Sequence, residues 1–148
     1  METKKTIEVL NNLIEINGDR IEGYATASVE TDDTSLKALL NKFKQTSEVC
    51  KAELSEEVNH LGGEIVEGTR ISGQFFRAWM DVKAAFTGNN KKLILESCEY
   101  GEDVIKQNYE KTLANHREDL TLEQVVLIKG QYDLLKAEHD EVKELRDT

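Results

Sequence analysis

The chain has no proline among its 148 residues, only two cysteines and nine glycines, and no surplus of basic side chains. Without proline, and with 32% of its residues charged, it suits long amphipathic helices and argues against a β-rich fold. Cys50 and Cys98 stand on separate segments, with no CxxC pair and no disulfide framework. Neither has a neighbouring histidine or basic cluster, so both read as reduced core thiols of a cytoplasmic protein. A net charge of −10 with no basic face argues against nucleic acid. No apolar run approaches the ~18 residues of a membrane span, and "METKKTIEVLNN" lacks the apolar core of a signal peptide. A Gly-rich phosphate loop and a Ser/His/Asp arrangement are both missing, which argues against nucleotide binding and nucleophilic hydrolysis.

What is present is helical periodicity, and the length fits one domain. Apolar residues at three- and four-residue steps predict four helices, at about 3–29, 34–61, 90–116 and 121–146. The first carries Ile7, Leu10, Ile14, Ile21, Tyr24 and Ala25 on its stripe, and "ETDDTS" then supplies N-cap residues. The second carries Leu36, Leu40, Phe43, Cys50, Leu54 and Leu61 before "LGG" stops it. Leu95, Cys98, Ile105, Tyr109 and Leu113 mark the third. The fourth opens on a capping box, Thr121 with Gln124, and continues through Val125, Ile128, Tyr132, Leu135, Val142 and Leu145.

The outer connections, near 30–33 and 117–120, are short and each joins an antiparallel pair. The middle one, 62–89, is far longer than the usual helix–helix turn. It holds Phe75, Trp79, Val82 and Phe86 on one face of a short helix of ~21 Å. With its extended residues it can run the ~40 Å length of a bundle. The expected fold is therefore all-α: one four-helix bundle with a long crossover carrying an extra helix, the wiring of ferritin-like folds. Phe75, Phe76 and Trp79 read as a cap over the bundle surface.

That wiring sets which polar residues share a level. Glu22, Glu99 and His139 come within about a turn of one another, with Glu102 one turn deeper. Glu22 borders the first stripe, Glu99 and Glu102 fall between Leu95 and Ile105, and His139 continues Tyr132 and Leu135. A histidine and several carboxylates at one depth resemble a carboxylate-bridged metal site. A plain up-down-up-down bundle would instead bring Glu53 to Glu99, with Glu57 and His60 nearby. The plainer alternative is a solvated strip, with Glu102 paired to Lys106 and His139 hydrogen-bonded in the core. Gly18, Gly23 and Gly101, each costing up to ~1 kcal/mol mid-helix, gather near the same residues.

"LIEINGDRIEGY", "HLGGE", "AWMDVKAAFTG", "CEYGEDVIKQNYEKTL" and "KAEHDEVKELRD" occur in this order along the chain. In this it resembles an uncharacterised bacterial family described as ferritin-like four-helix-bundle proteins of unknown function. The resemblance implies the crossover topology. It also implies that Glu22, Glu99, Glu102, Asp103 and His139-Asp140 occupy that family's polar positions, without implying an activity. The residue three before His139 is Lys136, and the second helix offers only Phe43, Thr46 and Ser47 at the level of Glu22, so a six-ligand di-iron site is not expected.

Two functions stand. One is a non-catalytic, stress-associated binding or scaffolding bundle in the cytoplasm, dimeric or docked on another protein. The other is a metal-dependent protein in which Glu22, Glu99 and His139 hold iron, manganese or zinc. Glu102 would then be an outer or bridging ligand, and the role oxidation or metal buffering. An enzymatic role is the weaker expectation.

Overall fold

A computed structural model describes residues 3–65 and 91–147. Four helices carry most of them: α1 Thr3–Glu30, α2 Thr34–His60, α3 Lys91–Asn115 and α4 Leu122–Asp147. A 3-10 turn, Arg117–Asp119, precedes α4, and no strand occurs among the described residues. The chain is all-α as expected, with boundaries close to those predicted. The expected helix around Phe75 to Phe86 and its aromatic cap lie outside the described residues.

Local chemistry fixes the helix ends. Asp33 has an extended backbone and its Oδ1 accepts from the Leu36 amide at 3.0 Å, capping α2. Thr121 and Gln124 form the expected reciprocal box at 2.9 and 3.1 Å. After α2 the chain turns at Gly62, whose φ of 75° suits glycine, and the Gly63 amide returns to the Val58 carbonyl at 3.0 Å. A Cβ on Gly63 would stand 2.8 Å from Ile7, so a glycine there lets the turn lie against α1.

α1 packs along α2 and α3 along α4. Hydrogen bonds give the remaining directions. Asn17 and Arg20 of α1 meet Tyr109 and Glu102 of α3, a later residue on one against an earlier residue on the other. Thr46 and Cys50 of α2 meet Glu138 and Gln131 of α4 in the same manner. All four neighbouring pairs are thus antiparallel, and α2 and α3 run in the same direction.

The core divides into two apolar clusters. One gathers Leu10, Leu13, Ile14, Leu54, Ile105 and Ile128, the other Leu36, Leu40, Phe43, Leu95 and Val142. A polar belt crosses all four helices: Asn17 donates to Tyr109 Oη at 2.8 Å, and Tyr109 donates to Gln131 Oε1 at 2.8 Å. Gln131 in turn donates to the Cys50 carbonyl and to Glu53, each at 3.2 Å. The buried face of α1 runs through Leu13, Asn17, Arg20, Tyr24 and Ala27. The predicted stripe drifts from it: Ile21 is only half-buried, and on α4 Leu145 is exposed. The apolar pattern missed that Asn17 and Arg20, though polar, continue the inward row.

Two stability effects follow. Asp33→Ala should cost about 1 kcal/mol through the lost cap. Leu54→Ala, at a fully buried site, should cost about 2–5 kcal/mol. Urea denaturation followed by circular dichroism measures both.

Candidate functional site

Between the apolar clusters sits a fully buried guanidinium, that of Arg20. Its Nε donates to Glu102 Oε1 at 2.8 Å and its Nη2 to Glu102 Oε2 at 3.1 Å. Nη2 also reaches Glu138 Oε1 at 2.7 Å. Nη1 donates to the Phe43 carbonyl at 2.8 Å and to Ser47 Oγ at 3.0 Å. Arginine has five N–H donors, and all five are used. Tyr24 donates its hydroxyl to Glu102, and Thr46 donates to Glu138 Oε2 at 2.6 Å. The Arg20 guanidinium carbon lies 5.1 Å from the Tyr24 ring centroid and 5.5 Å from that of Phe43. The group therefore combines charge-assisted bonds with aromatic faces.

One cation and two carboxylates leave one excess negative charge when both are ionised. Burial raises the Glu138 pKa, and Arg20 and Thr46 only partly offset it. Burial alone would lower the Arg20 pKa; the adjacent Glu102 and Tyr24 outweigh that and raise it. Burial and then the Glu102 charge push Tyr24 well above the usual phenol value. Desolvation drives the buried thiols the same way, Cys50 to about 12, so neither Cys50 nor Cys98 is an activated nucleophile. At this centre the donors of Arg20 are all taken up by the protein, and the uncompensated carboxylate charge leaves open the gain or loss of a proton.

The four candidate ligands do not share one place. Glu102 is buried and held by Arg20 and Tyr24, not by Lys106. Glu22 is on the exposed side of α1. Glu99 and His139 do come together, joined by Asp103, with one ligand atom from each lying within 4.8 Å of the others. His139 is buried; its Nε2 is 2.5 Å from Asp103 Oδ1 and its Nδ1 3.0 Å from Asp140 Oδ1. The hydrogen bond with His139 holds Asp140 below the ordinary carboxylate value. Arg146 closes the cluster by donating to Glu99.

Residues 5–115 match the family described as a domain of unknown function, DUF2383. The chain belongs to this family. No curated protein matches it. The DUF2383 match spans Arg20, Tyr24, Ser47 and Glu102, while Glu138 and His139 on α4 lie beyond it. No described helix of this DUF2383 chain is long and apolar enough to cross a membrane.

Sequence reasoning missed Arg20 and Glu138. A signal existed for both. Arg20 stands three after Asn17 and four before Tyr24, and Glu138 stands three after Leu135 and four before Val142. Each therefore continues a buried row at helical spacing.

Two substitutions test the centre. Arg20→Ala strands two buried carboxylates and should cost about 3–5 kcal/mol. For Glu138, a folded pKa raised above 4.5 gives stability present at low pH and lost as pH rises through the folded value. Glu138→Gln removes that loss. Relative to wild type, this variant should therefore gain stability as pH rises above the ordinary carboxylate range, read from urea titrations at a series of pH values.

Proposed function

We propose that this chain is a ferritin-like bundle that acts as a binding or scaffolding protein and not through chemistry at its centre. The shared direction of α2 and α3 supports the ferritin-like wiring, with a connection that returns the chain along the bundle. The observation that carries the reading is the saturation of Arg20. Bundles of this wiring build cofactor sites from inward side chains of facing helices. Here that space is filled by a guanidinium whose five N–H groups all end on protein acceptors.

Association then falls to the surface, and the outward face of α4 is its most apolar part among the described residues. Leu122, Val126 and Leu134 are 78%, 65% and 55% exposed and form an i,i+4 row through Gly130. Nothing lies within 4 Å of where a Cβ on Gly130 would stand, which leaves room for a second helix to approach closely. The row is bordered by Lys129 and Asp133, themselves paired at 2.8 Å. In an antiparallel pair of α4 helices with the two-fold axis level with residue 131, one residue past Gly130, Lys129 of each copy stands opposite Asp133 of the other, so the occupant proposed is a second copy of this chain.

Sedimentation equilibrium tests this. A concentration-dependent dimer is expected, dissociated by Val126→Lys and by Leu134→Lys. A wild-type chain that stays monomeric up to ~100 μM, weaker than specific interfaces of standard size, would refute it.

A further inference from the structure

Glu99 and Asp103 stand four residues apart on α3 and so share one face, one turn apart. His139 approaches them from α4, and α3 and α4 are packed along their lengths. The three side chains therefore come from two helices that hold each other in register. This is a different place from the Arg20 centre, and its carboxylates differ in kind. Those of Glu102 and Glu138 are enclosed by donors; the Asp103 side chain is 45% exposed, open to water.

The histidine is the informative member. Its ring is 7% exposed, and its Nδ1 faces Asp140, which is not one of the three. A carboxylate on one ring nitrogen fixes the tautomer and aims the other nitrogen's lone pair, the arrangement that orients metal-ligating histidines. That other nitrogen is Nε2, 2.5 Å from Asp103 Oδ1: the two share a proton there, and a metal ion would take the proton's place. A cation is already drawn to the same spot: Arg146 places Nη1 on Glu99.

We propose that Glu99, Asp103 and His139 bind one divalent transition-metal ion, with Arg146 acting as a built-in competitor for Glu99. One imidazole nitrogen and two carboxylate oxygens suit zinc, manganese or ferrous iron better than a soft monovalent ion. Metal–ligand bonds of ~2.0–2.2 Å place neighbouring donors roughly 3–3.5 Å apart. The present spread of 4.8 Å closes by turning the Glu99 carboxylate inward once Arg146 lets go. Arg146 is free to do so, because it lies in the last turn of α4 and its Nε holds a second partner, Asp147, at 3.0 Å. Water enters past Asp103 and fills the remaining positions. The proposal does not depend on self-association through α4.

The test is titration of the full-length protein with Zn(II) by calorimetry, and with Co(II) by visible absorption. Wild type should take up one equivalent. His139→Ala and Asp103→Asn should each weaken binding by at least ~10-fold. Arg146→Gln should tighten it several-fold. Melting curves check that each variant is folded, and Asp103→Asn keeps the test valid even if the buried His139→Ala does not fold. No stoichiometric uptake by wild type, or unchanged affinity in Asp103→Asn, overturns the site. An Arg146→Gln variant that binds no more tightly overturns the competitor role.

Discussion

A guanidinium without water must find five acceptors, and Arg20 takes its five from the three helices other than its own. α2 gives the Phe43 carbonyl and Ser47, α3 gives both oxygens of Glu102, and α4 gives Glu138. Every helix is thereby positioned against α1 to within a hydrogen bond. Apolar packing alone tolerates sliding and rotation at modest cost; a buried charge does not, because an unmet donor or carboxylate loses its hydration with nothing in return. The arrangement therefore selects one packing of the four helices more than it adds stability.

The two polar regions show what burial does to similar side chains. Around Arg20, each carboxylate oxygen of Glu102 and Glu138 accepts at least one hydrogen bond from a donor on another helix. At the α3–α4 edge, Glu99 and Asp103 keep contact with solvent and their partners are a histidine and a terminal-turn arginine. In the first region every donor of Arg20 is already met within the protein. The second stays open on one side, where the metal ion proposed above would compete with Arg146 for Glu99.

Much of the fold was legible because it rests on repetition. Three- and four-residue spacing gave the four helices, and Asp33, Thr121 with Gln124, and Gly62 marked ends by known cap chemistry. The site was only half legible. His139 and Glu99 were placed at one level and do meet, while Asp103, which joins them, entered only among the polar positions that the resemblance implies. Glu102 was placed near the core but without its partner. Arg20 escaped because a sum over hydrophobicity counts arginine as surface, although its position on the Leu13–Asn17–Tyr24 row says otherwise. A charge becomes a core residue only when a counter-charge on another helix meets it. Arg20 and Glu102 are 82 residues apart, a pairing no local pattern contains.

The polar belt of Asn17, Tyr109, Gln131 and Cys50 bears on how this chain tolerates changes in length. Tyr109 stands seven residues after Glu102, Glu138 seven after Gln131, Tyr24 seven after Asn17, and Cys50 seven after Phe43, these last two giving their carbonyls to the two levels. Seven residues are nearly two helical turns, so both polar levels face inward and sit about 10 Å apart along the axis. A single inserted or deleted residue between the levels would swing one of them by ~100° while leaving the other in place. Length changes are then confined to whole heptads, made in all four helices together, or to segments outside the two levels. The bundle behaves as a ruler with two marks, and any related chain that keeps both marks must keep the distance between them.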